Sequence, residues 1–476
     1  MMLTGHTGRF AYCAPATPPG VSGIAVIRMS GRSSFEIADD IFVSESNRNV
    51  TVYDMEPYTC AYGEIRDPRT GETADKVVLT KFSAPNSYTG EDTVEISCHG
   101  GTAVREKILD LLYVFGARPA EPGEFSRNAF LHGKMDLAQA EAVMDLISSQ
   151  ADKASSQAIG QMKGNLSSRI REINNSLYRI LAELEMALEF PEHEDGRLVR
   201  EHLISKTEEL LTDISGLTDS FRQGRILREG FTVAIAGKPN AGKSSLLNII
   251  SGHDRSIVTD IPGTTRDTVE EIVNVGGLPV KIIDTAGIRD SSDMVEQLGV
   301  GRAKEAIGSA DLVLWVIDEY GNTEETLQDE FRRLTDSWIN SHKGRFAVII
   351  SKIDIKPFDS ILNEVKRNFP DFPVIPFSSV TGEGLDEVRV LITNIYNSFG
   401  NSSSEEIIIT NSRHLRSLRQ AQTEISIAHE GMVCGSPLDV LASALRKASE
   451  SLAEITGDEV SEKLIQEIFA RFCVGK

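Results

Sequence analysis

Five cysteines in 476 residues leave little material for cross-links or metal clusters. Cys13, Cys60, Cys98, Cys434 and Cys473 are far apart, odd in number and form no Cys-x-x-Cys pair. That tells against a disulfide framework or a zinc site and fits a reducing cytosol. No apolar run approaches the roughly 18 residues of a membrane span, so a cytoplasmic protein without a membrane partner is expected. The first residues lack a basic stretch followed by an apolar one, and no signal peptide is expected. Positive charge is also short: 49 Lys and Arg face 70 Asp and Glu, a net charge of −21. A surface that coats polyanions all round is excluded, and any nucleic acid must meet a local basic patch. Arg222, Arg225 and Arg228, or Arg413, Arg416 and Arg419, are spaced for phosphate contacts, although a solvated helix face is the plainer reading of each. There is no G-x-G-x-x-G dinucleotide loop, no internal repeat and no long low-complexity tract.

What is present is ordinary globular composition, 40% hydrophobic and 25% charged, at a length that accommodates about two to four domains. The most informative stretch is Gly237-Lys-Pro-Asn-Ala-Gly-Lys-Ser244, between the apolar run Phe231–Ala236 and the helix-forming Ser245–Ile250. Strand, glycine loop and helix are the context in which G-x-x-x-x-G-K-[ST] binds phosphate. Glycines let backbone N–H groups curl around an anion, and the helix N-terminus adds its positive end. Lys243 is placed to reach the β- and γ-phosphates and Ser244 to hold Mg2+. The alternative, a glycine turn with an exposed lysine, loses ground to the motifs that follow.

Residues 1–130 read as mixed α/β, with strands at Ser22–Arg28 and Thr93–Cys98 and a helix over Ala103–Val114. From 131 to 229 the chain is helical. Asp136 is an N-cap candidate before an Ala- and Gln-rich helix. Leu166, Ile170, Ile173, Leu177, Leu181, Leu184 and Leu188 form one apolar stripe. Leu203, Leu210, Ile214, Leu217 and Phe221 form a second, and both are bundle core rather than a cofactor box. Residues 230–398 alternate strand and helix, which implies a doubly wound, mostly parallel sheet. Helices resume over 399–476, where Leu438, Leu441, Leu445, Ala448, Leu452 and Ile455 share a face. The expected fold is therefore an α/β P-loop GTPase domain inserted into an α-helical domain, preceded by an α+β N-terminal domain.

Three further motifs stand in the order a GTPase requires. Asp284-Thr-Ala-Gly287 ends the strand Val280–Ile283, where Asp284 can hold Mg2+ through water and the Gly287 N–H can sense a γ-phosphate. Ser351-Lys-Ile-Asp354 follows another strand. The Asp354 carboxylate can accept both the N1–H and the amine of guanine, a pair adenine does not offer. Ser378-Ser-Val380 supplies a backbone contact near the base oxygen. Guanine is thus expected over adenine. The nucleotide-contacting set is Asn240, Ala241, Gly242, Lys243, Ser244 and Ser245; Thr259, Asp260, Ile261, Pro262, Gly263, Thr264 and Thr265; Asp284, Thr285, Ala286 and Gly287; and Lys352, Asp354, Ser378, Ser379 and Val380. Ser244 and Thr265 are the expected Mg2+ ligands. Ser351 occupies the place of the usual asparagine and can supply only part of its loop-tying hydrogen bonds. Ile288 stands where many GTPases orient water with a glutamine. Either the domain is a slow switch or another group takes that role. Asn240 offers a carbonyl oxygen where a monovalent cation can do the electrostatic work of an arginine finger.

Taken together, Gly263-Thr-Thr-Arg-Asp267, the segment from Pro122-Gly-Glu-Phe125 to Asp145-Leu-Ile147, and the terminal Phe472-Cys-Val-Gly-Lys476 resemble the MnmE (TrmE) family of tRNA wobble-uridine modification GTPases along the whole chain. The resemblance implies K+-activated GTP hydrolysis on pairing of two GTPase domains. The K+ ligands carried over are Asn240, Thr259, Ile261 and Thr264, and the water-orienting catalytic residue is Glu296. It implies a folate-binding-like N-terminal domain holding 5-formyl-tetrahydrofolate, or 5,10-methylene-tetrahydrofolate, at Arg28, Glu95, Lys134 and Lys476. Cys473 is a catalytic nucleophile only if its pKa is lowered, and a positioning role stands beside that one. The implied partners are a second copy, in a homodimer, and the FAD- and NADH-dependent MnmG (GidA) subunit, in a heterotetramer acting on tRNA. The FAD belongs to that partner alone. Together they install a carboxymethylaminomethyl or aminomethyl group on C5 of the wobble uridine. The competing expectation is a regulatory ribosome-associated switch GTPase with adaptor domains; the Cys-x-Gly-Lys tail and the folate-type residues favour the first.

Overall fold

The computed structural model describes residues 10–45, 51–149, 151–189, 196–253, 270–284, 310–318, 345–355, 358–398 and 407–476. They pack as two compact units, Met1–Met144 with Ala453–Lys476, and Asp145–Leu452. No described helix is long and apolar enough to cross a membrane.

In the first unit, β1 (Tyr12–Pro15), β2 (Ser22–Ser30), β3 (Phe42–Ser44), β4 (Cys60–Arg66), β5 (Thr73–Phe82), β6 (Thr93–Gly100) and β7 (Arg118–Pro119) form one sheet. Its order is β3-β4-β5-β6-β2-β1-β7, and only the β1–β7 pair is parallel. Alternation decides the faces. Ala25, Ile27 and Met29 of β2 and Val94, Ile96 and Cys98 of β6 point into a core sealed by α1 (Ser34–Ile41) and α2 (Thr102–Val114). Burying each large side chain there stabilises the unit by about 1.5–3 kcal/mol. Arg28 and Glu95 sit between these residues, so both point to the opposite face, directly across from each other in the β2–β6 register. On that face Tyr12, Ala14 and Ala120 pack with Phe125 of α3 (Glu124–Leu131).

Residues 453–476 complete this unit. Phe469, from the helix Glu462–Phe469, and Phe472 pack on Leu137 and Ala140 at the start of α4 (Leu137–Ser148). Asp136 caps α4 as expected, and reciprocally: its Oδ1 accepts from the Gln139 N–H at 2.9 Å, while Gln139 Oε1 accepts from the Asp136 N–H at 2.9 Å. The Pro122-Gly-Glu-Phe125 segment is the seat of the C-terminal helix. Gly123 has φ 67°, and a Cβ there would stand 2.4 Å from the Phe469 carbonyl oxygen.

The second unit contains β8 (Phe231–Ala236), β9 (Glu270–Val275), β10 (Leu278–Asp284), β11 (Leu312–Ile317), β12 (Phe346–Ser351) and β13 (Val374–Phe377). Their order is β13-β12-β11-β8-β10-β9, all parallel except the β9–β10 hairpin. This is the doubly wound, mostly parallel sheet expected over 230–398. α5 (Asp152–Met162), α8 (Phe221–Glu229), α9 (Lys243–His253), α10 (Asp359–Asn368) and α11 (Leu385–Asn397) pack on its strands, while α6 (Asn165–Glu189), α7 (Gly196–Asp219), α12 (Ser412–Cys434) and most of α13 (Leu438–Thr456) belong to the helical part of the unit.

The insertion works because its two crossings are adjacent. The Ile409 N–H donates to Ser220 Oγ at 3.0 Å, and Gly224 lies so close to the Ile409 carbonyl that a Cβ would be 2.1 Å from it. Ala154 of α5, Ile226 and Leu227 of α8, and Ile408 join the apolar core of the sheet. The stripes behave as bundle core, with three departures. Leu188 is 43% exposed in the last turn of α6, while Ile180 is buried. Leu438 and Phe221 are half-buried. Periodicity marks a helix face without telling how far along it neighbours extend.

Candidate functional site

Strands β8, β10, β12 and β13 run parallel, so the segments that follow them emerge on one edge of the sheet, where such folds bind nucleotides. That edge gathers Gly237–Ser244 after β8, Asp284 at the end of β10, Ser351–Asp354 at and after β12, and Ser378–Val380 after β13.

The glycine loop closes by backbone necessity. Gly237 has φ 142°, and a Cβ on it would lie 2.1 Å from the Val316 carbonyl oxygen, so only glycine lets the loop cross β11. Gly242 has φ 94°. Asn240 has φ 63°, in the left-handed region that asparagine tolerates, and it is exposed on the loop rim. Ala241 is buried, while Ser244 and Ser245 are exposed. Lys243 opens α9; its Nζ donates to the carbonyls of Gly237 at 2.8 Å and Lys238 at 2.6 Å, which holds the ammonium against the loop.

Ser351 is buried at 5% exposure and ties this loop to the neighbouring strands. Its Oγ lies 2.5 Å from the Ala241 carbonyl and 3.1 Å from the Ile317 carbonyl. One hydroxyl proton serves two acceptors, so the tie exists but is satisfied one bond at a time, as the sequence implied. Asp354 is exposed, with one carboxylate oxygen accepting from Ser378 Oγ at 2.6 Å. Ser378 Oγ in turn accepts from the N–H groups of Val380 and Thr381, each at 3.2 Å. The two base-side segments are thereby locked to each other, with Ser379 and Val380 exposed beside them. Lys352, with φ 62°, pairs its Nζ with Asp318 Oδ2 at 2.6 Å. Asp318 drew no notice in the sequence, where its only signal is an acid directly after an apolar strand. Thr259, Asp260, Ile261, Pro262, Gly263, Thr264, Thr265, Thr285, Ala286, Gly287, Ile288 and Glu296 lie outside the described residues.

A second cluster occupies the first unit. Arg28 Nε donates to Glu95 Oε1 at 2.8 Å, and its Nη2 lies 2.7 Å from the same oxygen. The guanidinium carbon is 5.3 Å from the Tyr88 ring centroid and 5.6 Å from that of Phe125, two rings to which the sequence assigned no site role. Arg28 Nη1 is buried with no hydrogen-bond partner among the described residues. A buried guanidinium nitrogen left in that state suits an incoming acceptor. Lys476 is half-buried in the field of this pair. Burial first, then the Arg28 charge, holds its ammonium below the usual lysine pKa, against the opposing pull of Glu95 and Cys473. The exposed Cys473 carries a free thiol. Its carbonyl accepts from the Gly123 N–H and the Lys476 N–H, each at 3.3 Å. Lys134 is exposed in the turn after α3, where its N–H donates to the Ala129 carbonyl at 2.8 Å. Among the described residues, no interaction joins the Lys134 side chain to Arg28, Glu95 or Lys476.

A family profile described as the MnmE helical domain matches residues 137–473, and one described as the GTP-binding protein TrmE N-terminus matches residues 11–134. A tRNA modification GTPase MnmE of Levilactobacillus brevis is 40% identical over 97% of this chain and 97% of its own length. Those of Acetivibrio thermocellus and Geobacillus kaustophilus are each 42% identical over 97% of this chain and 98% of their own. Among solved structures, the G domain of the T. maritima FeoB iron transporter aligns with 34% of this chain and 97% of its own at 28% identity. Its TM-score of 0.25 adds nothing to the fold argument.

Proposed function

Because this chain belongs to the MnmE family of tRNA modification GTPases and is a GTP hydrolase acting in tRNA modification, we propose that its P-loop sheet edge hydrolyses GTP under K+ control while the Arg28–Glu95 cluster holds a folate one-carbon donor. The observation that carries the first half is the convergence of the glycine loop, Ser351–Asp354 and Ser378–Val380 on one strand edge, tied together through Ser351 and Ser378. On this reading the Gly237–Ser244 backbone and Lys243 bind phosphates, and Asp354 reads guanine. Ser244, in the first turn of α9, and Thr265 hold Mg2+, which neutralises phosphate charge when bound.

Asn240 is the described member of the K+ set. An amide oxygen on the exposed rim of the phosphate loop is a suitable hard donor, and Thr259, Ile261 and Thr264 complete the set. Glu296 orients the attacking water, the role Ile288 cannot fill. GTP turnover is expected to be at least about tenfold faster in K+ than in Na+ at equal ionic strength, as for a lost electrostatic group. Equal rates in the two salts overturn the cation role of Asn240.

The second half rests on the chemistry of the N-terminal cluster. Glu95 is an acceptor for the amino and N–H groups of a pterin, and Arg28 offers a buried free donor beside two aromatic rings. Lys476 and the exposed Lys134 are cations suited to a glutamate tail. The carbon donor is 5-formyl- or 5,10-methylene-tetrahydrofolate, with Cys473 beside it. Two copies form the homodimer, and the MnmG-type partner brings FAD. The product of the joint reaction is an aminomethyl-type group on C5 of the wobble uridine.

A further inference from the structure

We propose that Asp318 is a positioning residue of the guanine-nucleotide site, acting through Lys352; this rests on Ser351–Asp354 being the base-recognition loop. Asp318 directly follows β11, the strand between the one that launches the phosphate loop and the one that launches the base loop. Its carboxylate, 12% exposed, takes the Lys352 ammonium at 2.6 Å, and the Lys352 side chain is 30% exposed. The preceding residue holds the base loop as well, since the Ile317 carbonyl faces Ser351 Oγ at 3.1 Å. The carboxyl end of β11 therefore fixes two successive residues of the loop by two independent contacts.

The choice of an ion pair here has a physical reading. A partly buried pair gains little net stability after both ions lose water, so its value lies in geometry. Lysine is a point charge on a flexible four-carbon stem. Unanchored, it would sample many rotamers two residues before Asp354. Pinned at its far end by Asp318, and set by the left-handed backbone at Lys352 (φ 62°), the stem becomes a fixed apolar rail with its charge already neutralised. A flat purine whose edge is read by Asp354 can lie along such a rail. The ligand class is a guanine nucleoside di- or triphosphate. The contribution falls on the base, which is the same in substrate and product.

The test uses the full chain with fluorescent GDP and a non-hydrolysable GTP analogue. Asp318→Asn keeps the shape and removes the charge. It is expected to weaken both ligands alike, by about tenfold, and to raise KM for GTP without lowering kcat at saturation. Lys352→Gln should weaken binding by a similar factor, and the double variant should be no weaker than Lys352→Gln alone, because the two residues act as one unit. Asp318→Glu should recover part of the loss. Unchanged affinity in Asp318→Asn, or additive losses in the double variant, overturns the proposal. Asp354→Asn separates the two levels of the argument. If it alters base selectivity while Asp318→Asn leaves affinity alone, the Asp318 role alone fails. If it leaves selectivity unchanged, the base-loop reading fails and takes the Asp318 role with it.

Discussion

Asp354→Asn is expected to convert the chain from a GTP-preferring to an XTP-preferring hydrolase. The Asp354 carboxylate is an acceptor on both oxygens, one of them engaged by Ser378 Oγ at 2.6 Å, so its orientation is set before nucleotide arrives. Guanine presents two donors, N1–H and the exocyclic amine, to such a group. An asparagine amide places an N–H donor against the amine, and a donor facing a donor forfeits one bond and adds repulsion. Xanthine carries a carbonyl where guanine carries the amine and so matches the amide. Each hydrogen bond to a charged group is worth about 1.5–3 kcal/mol, which predicts a loss of about a hundredfold in kcat/KM for GTP with a matching gain for XTP. Competition assays with the two nucleotides measure it. An unchanged ratio means that Asp354 does not read the base.

Gly475→Ala is expected to abolish tRNA modification while sparing GTP hydrolysis. Gly475 has φ 99°, and a Cβ there would stand 2.1 Å from the Pro15 carbonyl oxygen and 3.2 Å from Ala16 Cα. Both obstacles are backbone, so no rotamer change relieves them, and the left-handed conformation adds strain of about 1–3 kcal/mol. The last residues must lift away from the sheet, and with them Lys476, which lies in the field of Arg28, Glu95 and Cys473. Displacing a reacting or positioning group by about 1 Å costs on the order of a hundredfold in rate. The nucleotide residues belong to a separately packed unit, so turnover of GTP should persist. Parallel nucleoside analysis and GTPase assays distinguish the outcomes. Loss of both activities together would make the tail a folding element only, and full modification would remove it from the site.

How much of this was legible in the sequence depended on burial. Strand β11, Leu-Val-Leu-Trp-Val-Ile, is buried at every position and announces itself as an apolar run. So do β8 and β12, because a parallel sheet covered on both faces leaves no polar alternation to confuse. Strand β9, Glu-Glu-Ile-Val-Asn-Val, escaped notice because it is an edge strand with acids at its start. Strands β4 and β5 escaped for another reason: Tyr62 and Val78 stand on their exposed faces, which blurs the apolar–polar alternation. Local chemistry was clearer. Asp136 was legible as a cap, because capping depends on neighbours three residues away. The motif order likewise pointed to segments that the structure gathers on one strand edge. What no local pattern conveys is convergence: Tyr88 and Phe125 over Arg28, Asp318 against Lys352, and Gly475 against Pro15 bring together residues far apart in the chain.

The central claim, a GTPase that serves wobble-uridine modification, meets its most direct test in mass spectrometry of nucleosides from the tRNA of cells lacking this chain. The expected result is loss of the aminomethyl-type group at C5 of the wobble uridine, restored by the intact gene. Fully modified wobble uridines in those cells would contradict it.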